Sequence, residues 1–379
     1  MSEKSARMVM SDSACNISPQ EVDKLVEDPI KTSILKSVTL KSRFENTVKP
    51  MKETGIYKSQ EEIFEEFERV KAFGMEKKTR EIITAALEPA NENKNRYNDI
   101  LPFESSRVKL RYKGVNGSDY INANFIKFPG SNNPEYISCQ APIPATFYDF
   151  WWMVWEQRSA VIVMLTNFVE KDKLKAHRYW PLKGERLHFG NLSVCVNKTK
   201  SFDGTMVRSF FLNYTNTDGS ITQREVFHLH FTDWPDMGVP PATDKIRNLV
   251  KLANISNKFA ISRDSNGPMI VHCSAGIGRA GTFIAIDYGL IRLRRCLLSF
   301  YSASADSLTP ALSSSTGSIK NPPPPVNVEE IVNTLRCQRV GMVQTVEQYN
   351  FVYQTLRDYV EDLLCKTKSS LLRKRNFRS

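Results

Sequence analysis

The segment MIVHCSAGIGRAGTFIAI, residues 269–286, constrains the fold of this chain more than any other part of its sequence. The apolar run that ends at Val271 predicts a buried strand, and the apolar spacing after Ala280 predicts a helix with one buried face. Glycines at positions 276, 278 and 281 let the intervening backbone turn tightly. A helix N-terminus attracts anions through unpaired N–H groups and the helix dipole, so the sequence predicts an anion-binding loop here.

Two reactive side chains, Cys273 and Arg279, begin and end this loop, which we call the cysteine loop (residues 273–279). A cysteine that is surrounded by N–H donors and lies near a guanidinium is expected to be a thiolate at neutral pH. The planar guanidinium of Arg279 matches two oxygens of a tetrahedral phosphoryl group. Together these groups indicate phosphoryl transfer to sulfur. The simpler alternative is a buried structural cysteine beside a glycine-rich turn, because a bare Cys-x5-Arg pattern arises by chance.

Composition sets wider limits on partners and location. With 52 basic and 41 acidic side chains, the net charge of +11 favours phosphorylated segments, membrane surfaces or nucleic acid as partners, without choosing among them. The seven cysteines are scattered and form no C-x-x-C pair, which argues against a disulfide framework and a zinc site. The sequence shows no secretory signal and no apolar run near the roughly 20 residues that span a bilayer. We therefore expect an intracellular, reducing compartment.

The polar and apolar pattern divides the chain into three parts. Residues 1–55 are polar without clear periodicity and are expected to form an arm. A folded domain is expected over 56–365, and its first helix is signalled by Ser59 and Glu62, which fit a capping box. Strands alternate with helices in this domain, which indicates an α/β or α+β fold around a mixed sheet. Residues 299–325, rich in serine and proline, predict an inserted surface loop, and residues 366–379 form a basic tail.

Several separate motifs resemble those of the cysteine-dependent, tyrosine-specific protein tyrosine phosphatases of the non-receptor type, which have a single catalytic domain. They cover residues 60–365 in the family's order: NKNRYNDILPFESSRVKL, DYINANFI, EKDKLKAHRYWP, WPDMGVP, HCSAGIGRAG and VQTVEQYNF. The resemblance implies a highly twisted mixed β-sheet flanked by helices, with the cysteine loop between a strand and a helix. It also implies hydrolysis of phosphotyrosine in proteins through a phosphocysteine intermediate, with no metal and no cofactor.

The resemblance assigns the chemistry to particular residues. Cys273 is the nucleophile, Arg279 clamps the phosphoryl group, and Asp236 in WPDMGVP acts first as general acid and then as general base. Tyr97 forms the aromatic wall of a cleft too deep for phosphoserine, and Asp99 fixes the substrate backbone. Read without the family, WPD is an aspartate–proline turn, Tyr97 is a core residue and Asp99 a turn residue. The phosphate is expected to bind the loop residues Ser274, Ala275, Gly276, Ile277 and Gly278.

Five further residues are expected to support the site by the same resemblance. Gln344 and Gln348 place the water of the second step, although Gln348 also fits a helix capping box with Thr345. Glu170 pairs with the loop arginine, and Lys175 lines the pocket near the general acid; either could instead be a solvated surface charge. His272 shapes the loop and tunes the sulfur through hydrogen bonds.

The expected partners are tyrosine-phosphorylated proteins, not nucleic acid, and the expected state is a cytoplasmic monomer. Two alternatives stay open. One is a pseudophosphatase that binds phosphotyrosine without turnover. Alanine at position 280, where the family usually has serine or threonine, permits this alternative. Against it, an inactive family member is expected to lose a residue such as Cys273 or Asp236, and both are present. The other is a phosphoinositide phosphatase, which the positive charge permits and the Tyr97 motif opposes. The basic tail offers peripheral contact with a membrane surface.

Ala280 stands where the family usually has serine or threonine, whose hydroxyl helps the sulfur to leave in the second step. We predict that Ala280→Ser raises the turnover number by about one to two decades, because one hydrogen bond to a charged group contributes roughly 1.5–3 kcal/mol. Burst kinetics on an aryl phosphate separate phosphocysteine formation from its hydrolysis. An unchanged turnover number in Ala280→Ser contradicts this role.

Overall fold

The computed structural model describes residues 54–111, 117–133, 135–235, 238–261, 265–306 and 326–376. The predicted arm over 1–55 lies outside these residues, apart from its last two, and so does the part of the predicted surface loop that follows residue 306. None of the helices within the described ranges is both long enough and apolar enough to cross a bilayer.

Strands and helices alternate along the described residues, as the sequence predicts. The strands are β1 (Arg107–Lys109), β2 (Tyr120–Ile126), β3 (Tyr136–Cys139), β4 (Val161–Met164), β5 (Val169–Glu170), β6 (Lys173–Leu174), β7 (Arg186–Phe189), β8 (Leu192–Phe202), β9 (Thr205–Thr215), β10 (Ile221–Phe231) and β11 (Met269–His272). The α-helices are α1 (Gln60–Arg80), α2 (Thr84–Leu87), α3 (Phe147–Glu156), α4 (Asp244–Ile261), α5 (Gly278–Asp306), α6 (Val328–Arg336) and α7 (Val346–Asn376). Short 3-10 helices span Pro89–Lys94 and Pro144–Thr146.

The main sheet is mixed, and its strand order is β1-β2-β3-β11-β4-β10-β9-β8-β7. The four central strands, β3, β11, β4 and β10, run parallel, whereas the flanking strands pair antiparallel. Parallel strands end at one edge of a sheet, and ligands of such sheets bind beyond their carboxyl ends. Because β11 lies between β3 and β4, with His272 paired to Cys139 and to Met164, the cysteine loop starts at the middle of that edge.

Both faces of the central sheet are covered, so β11 is apolar at almost every position. Val271 points into a core that contains residues of α1, α4, α5, α6 and α7. Its neighbour Ile270 points to the other face, into a core built around the aromatic helix α3. Alternate residues of a strand face opposite sides, and strands buried on both sides therefore read as continuous apolar runs. This confirms the buried strand predicted from the sequence.

Two helices begin at or near the residues predicted from the sequence. Ser59 Oγ accepts a hydrogen bond from the Glu62 N–H at 3.2 Å, and the Glu62 carboxylate accepts one from the Ser59 N–H at 2.7 Å. The capping box is therefore confirmed. Helix α5 begins at Gly278, two residues before the predicted start, because the glycine turn is part of the first helical turn.

Two boundaries differ from the prediction. Helix α5 continues to Asp306, eight residues into the segment 299–325 that was expected to be a loop. Helix α7 continues to Asn376 and so includes most of the basic tail, which was expected to start as a separate segment at 366. Alanine, leucine, lysine and arginine extend a helix that is already nucleated at low free-energy cost, so a change in composition does not by itself end a helix.

A buried carboxylate joins the first and last helices of the domain. Glu66 on α1 is 1% exposed, and its carboxylate accepts hydrogen bonds from the hydroxyls of Tyr349, at 2.5 Å, and Tyr353 on α7. Lys58 supplies the countercharge. Buried polar groups are tolerated when they are fully paired, so this cluster fixes α1 against α7 and closes one face of the sheet.

We predict that Glu66→Ala lowers the free energy of unfolding by about 2–4 kcal/mol, because it leaves two buried hydroxyls and one cation without their acceptor. Tyr353→Phe removes only one of these hydrogen bonds and is expected to cost about 1 kcal/mol. Urea unfolding of both variants measures the difference. A loss in Glu66→Ala that is no larger than the loss in Tyr353→Phe contradicts the cluster's role.

Candidate active site

The backbone of the cysteine loop is turned so that its carbonyl groups face away from the loop's inner side. Six consecutive carbonyls, those of residues 272–277, accept hydrogen bonds from surrounding groups. The donors are Leu165 N to His272 O (2.9 Å), His272 Nδ1 to Cys273 O (3.1 Å), Ala141 N to Ser274 O (2.9 Å), Arg339 Nη2 to Ala275 O (2.9 Å), Arg339 Nε and Ser138 Oγ to Gly276 O (2.9 Å each) and Val343 N to Ile277 O (3.1 Å). In a trans peptide the N–H points opposite the carbonyl. The amides of residues 273–278 therefore point inward and form an anion-binding nest.

Arg339 lies outside the cysteine loop but binds two of its carbonyls, and sequence reasoning did not identify it. Its side chain is fully buried, and besides two loop carbonyls it binds the side-chain oxygens of Asn124, at 2.7 Å, and Asn122, at 2.9 Å. Burial lowers the pKa of Arg339 to about 10, so the guanidinium stays charged near neutrality. Both asparagines lie in the quoted motif DYINANFI, but they are more than 200 residues from Arg339, and only the fold brings them together.

Gly276 occupies a position that admits no side chain. Its φ of +71° lies in the left-handed region, and a Cβ built on it would lie 2.0 Å from the carbonyl oxygen of Cys139. The loop therefore packs directly against the end of β3. Gly278 has a different neighbourhood, because a Cβ there would lie 3.1 Å from side-chain atoms of Gln344 and Gln348.

The structure brings Glu170 and Arg279 together in a two-pronged ion pair. Arg279 Nη1 lies 2.6 Å from Glu170 Oε1, and Nη2 lies 2.8 Å from Oε2. Arg279 also donates to the carbonyls of Leu165, at 3.1 Å, and Pro235, at 3.2 Å. Glu170 is presented by the β5–β6 hairpin, whose turn residues Lys171 and Asp172 both have positive φ, as a two-residue hairpin turn requires.

The charge of Glu170 depends on its partners. Burial alone would raise the pKa of this carboxyl, but hydrogen bonds and charge attraction from Arg279, with hydrogen bonds from Asn167 and Thr166, lower it to about 2. The carboxylate is therefore ionised at all physiological pH values, and Arg279 is held in one orientation by a planar, two-point contact.

Two of the predicted pocket residues, Tyr97 and Lys175, contact Ser274 of the loop. The Ser274 hydroxyl donates to the carbonyl oxygen of Lys175 at 2.7 Å, and so the hydroxyl of Tyr97, 2.8 Å away, donates to Ser274. Tyr97 is half-buried, whereas Asp99 is exposed beside it. Lys175 also donates its own N–H to the Phe168 carbonyl at 2.8 Å, so its backbone links the Ser274 hydroxyl to the segment just before β5.

The two glutamines lie at the start of α7, beside Gly278. Gln344 is exposed, and its N–H donates to Gln348 Oε1 at 2.9 Å. Thr345 Oγ1 accepts from the Gln348 N–H at 3.3 Å, which is one half of the predicted capping box. The other half differs from the prediction, because the Gln348 side chain binds the N–H of Gln344 and not that of Thr345.

Asp236 lies outside the described residues, but both of its flanks are anchored. The carbonyl of Pro235 accepts from Arg279, as given above, and the indole N–H of buried Trp234 donates to the Gly238 carbonyl at 3.2 Å. Ala280, directly after Arg279, is fully buried, and because its side chain is a methyl group this position supplies no hydroxyl to the loop. Within the part of the chain that the structure describes, no group of three or more His, Cys, Asp or Glu side chains could hold a metal ion.

Comparison with known proteins agrees with this geometry. Residues 91–358 match the family described as "Protein-tyrosine phosphatase". The chain is 39% identical over 295 residues to tyrosine-protein phosphatase 3 of Dictyostelium discoideum, covering 77% of this chain and 27% of that one. It is 39% identical over 269 residues to human tyrosine-protein phosphatase non-receptor type 13, covering 70% and 9%. These alignments thus span about a quarter or less of each curated relative.

A solved structure shows the same fold. The crystal structure of the catalytic domain of human protein tyrosine phosphatase non-receptor type 18 superimposes with a TM-score of 0.63 at 32% sequence identity. The match covers 78% of this chain and 95% of that one. The twisted mixed sheet with flanking helices, predicted from the sequence, is therefore confirmed.

We predict that Glu170→Gln loses a pH-dependent part of the wild-type stability. The folded-state pKa of Glu170, about 2, lies below its ordinary value of 4.5, so its stabilisation is present above pH 4.5 and is lost as the pH falls toward 2. The difference in unfolding free energy between the two proteins should be on the order of 3 kcal/mol at pH 6 and shrink by pH 3. Chemical unfolding at both pH values checks this, and a gap of equal size at pH 6 and pH 3 contradicts it.

Proposed function

Because the chain belongs to the protein-tyrosine phosphatase family, we propose that it hydrolyses phosphotyrosine in proteins through a phosphocysteine intermediate on Cys273. The observation that carries the proposal is the nest of inward N–H groups that begins at Cys273 and ends at Arg279. Such a nest stabilises three phosphoryl oxygens, and an adjacent thiolate can reach the phosphorus between them.

In the first step, the Cys273 sulfur attacks phosphorus, a sulfur–phosphorus bond forms, and the bond to the tyrosine oxygen breaks. Asp236 gives its proton to the leaving phenolate. Four of the five N–H groups of Arg279 face Glu170, Leu165 and Pro235, which leaves Nε–H for a phosphoryl oxygen. A two-point grip requires Nη2 to exchange the Pro235 carbonyl for a second oxygen, so phosphate binding is coupled to the segment that carries Asp236.

In the second step, water attacks the phosphocysteine, Asp236 takes its proton, and the thiolate leaves. Gln344 and Gln348 support this step because their side chains lie against Gly278, where the nest meets the start of α5. The hydrogen bond from the backbone N–H of Gln344 to Gln348 Oε1 orients the Gln348 side chain. We assign them the placement of the attacking water.

The surroundings of the nest favour phosphotyrosine over phosphoserine. Tyr97 is fixed by its hydrogen bond to Ser274, so its ring forms a wall beside the nest. A phosphotyrosine ring can lie along this wall, whereas phosphoserine is too short to bring its phosphorus to Cys273. We assign Asp99, which is exposed two residues from Tyr97, the role of accepting backbone N–H groups of the substrate. Ser274, Ala275, Gly276, Ile277 and Gly278 hold the phosphate through their amides.

The proposal extends to location and partners. A nucleophilic thiolate needs a reducing compartment, so we place the protein in the cytoplasm, as a monomer acting on tyrosine-phosphorylated proteins. The basic residues from 366 onward continue helix α7 and offer peripheral contact with anionic lipid. His272 acts through its hydrogen bond to the Cys273 carbonyl, and Lys175 lines the pocket beside Ser274, whose hydroxyl donates to the Lys175 carbonyl.

We predict that wild type hydrolyses a phosphotyrosine peptide and not a phosphoserine peptide or a phosphoinositide. Cys273→Ser should lower kcat by roughly 10³-fold or more, and Asp236→Ala by about 10²–10⁴-fold. Cys195→Ser, which changes a half-buried thiol on β8, is the matched control and should keep wild-type activity.

The three substrates, assayed in parallel, separate this proposal from its alternatives. Phosphotyrosine binding without turnover by wild type identifies a binding module, for which Ala280 is the structural argument. Lipid turnover without peptide turnover identifies a phosphoinositide phosphatase. Either result overturns the proposal.

A further inference from the structure

A buried tyrosine hydroxyl lies between two buried histidines behind the cysteine loop. The hydroxyl of Tyr179 lies 2.8 Å from Nε2 of His272, which precedes the nucleophile, and 2.8 Å from Nε2 of His228 on β10. All three side chains are fully buried. Aromatic rings enclose them, with Phe150 at 4.8 Å from the Tyr179 ring and Trp180 at 4.6 Å from the His228 ring, centre to centre.

The contact of His272 with the loop fixes the proton on one of its ring nitrogens. Nδ1 lies 3.1 Å from the carbonyl oxygen of Cys273, and a carbonyl can only accept, so Nδ1 carries a proton. Burial lowers the pKa of His272 to about 3, so the ring is neutral near pH 7 and Nε2 carries no proton. Nε2 therefore accepts the single proton of the Tyr179 hydroxyl.

The same reasoning fixes His228. Since the Tyr179 hydroxyl gives its proton to His272, its oxygen must accept from His228, whose Nε2 therefore carries the proton. His228 Nδ1 is then bare, and among the hydrogen bonds of the described residues this buried atom has no partner. Arg208 on β9 is the residue directly opposite His228 in the sheet. The positive charge of Arg208 acts on His228 and favours a bare lone pair over an N–H, which agrees with the direction that the Cys273 carbonyl sets.

His230, the next residue on the same face of β10, does not enter the chain of bonds. Its Nε2 lies 2.8 Å from the carbonyl oxygen of Thr166, two residues after the end of β4, and donates to it. His228 and His230 therefore share the Nε2–H tautomer, whereas His272 has the Nδ1–H tautomer.

We propose that His228 and Tyr179 are positioning residues, which hold the nucleophile's peptide group through a one-way chain of hydrogen bonds. The chain runs from His228 Nε2–H to the Tyr179 oxygen, from the Tyr179 hydroxyl to His272 Nε2, and from His272 Nδ1–H to the Cys273 carbonyl. Its effect is to keep the carbonyl of Cys273 turned outward and the next amide, that of Ser274, turned inward. The proposal rests on the proposed function only in that Cys273 is the nucleophile.

The tautomers can be tested without any activity. The chain has five histidines, so ¹⁵N-histidine labelling with long-range ¹H–¹⁵N correlation resolves them, and single substitutions assign them. The expected spectrum at pH 7 shows Nε2–H for His228 and Nδ1–H for His272, both unchanged down to pH 5. A protonated Nδ1 in His228, or Nε2–H in His272, overturns the direction of the chain whether or not the protein is a phosphatase.

Kinetics test the positioning role. His228→Leu removes the first donor and is expected to lower kcat about tenfold, with KM within about twofold of the wild-type value. The acid limb of its kcat/KM profile is expected to lie at higher pH than that of wild type. His228→Gln keeps an N–H donor and should restore at least half of kcat. Tyr179→Phe breaks both bonds and should resemble His228→Leu.

Tyr136→Phe is the matched control, because it removes an equally buried hydroxyl, bound to Asp287 at 3.0 Å in the other core, and should leave the pH profile unchanged. If His228→Leu has the wild-type pH profile and kcat, or if His228→Gln restores nothing, His228 only packs the core and the proposal is wrong.

Discussion

The outward turn of the carbonyls from His272 to Ile277 is the constraint on which the rest of the site depends. The carbonyls are held by several parts of the fold: the ends of β3 and β4, the ring of His272, the segment before α7, and the buried guanidinium of Arg339, which binds two of them. Planar peptides couple every outward carbonyl to an inward N–H, so the surrounding structure determines the anion site without contacting the anion. The order β3-β11-β4 therefore puts the donors at the ends of β3 and β4 within reach of the loop carbonyls.

The two arginines that lie against the loop have their guanidinium groups hydrogen-bonded. Arg339 meets carbonyl and amide oxygens in place of a carboxylate, and it binds the loop from the side to which the carbonyls point. Arg279 is oriented by Glu170 and by the Pro235 carbonyl, so the residue before Asp236, our proposed general acid, is bound to the side chain that we propose meets the phosphate. These contacts raise the local positive potential without leaving a buried charge unsatisfied.

Much of the fold and of the site followed from local patterns. The apolar run at Met269–His272 and the glycine turn predicted the strand, loop and helix because these features depend on neighbours in the chain. The predicted end of helix α5 was wrong for a local reason as well. The serine- and alanine-rich composition after residue 299 resembles that of a loop, yet the helix continues to Asp306. Quoted family motifs supplied the residues Tyr97, Glu170, Gln344 and Gln348, and the structure brings all four within reach of the loop.

The sequence by itself determined that a thiol and a guanidinium flank a glycine turn at a helix N-terminus, because spacing of three to seven residues sets that geometry. Only the tertiary structure decided which distant groups hold the turn open. Arg339 meets Asn122 and Asn124 across more than 200 residues, and His228 reaches the Cys273 carbonyl through Tyr179 and His272. Such contacts depend on which strands are neighbours in the sheet, and no local pattern encodes the direction of a hydrogen bond.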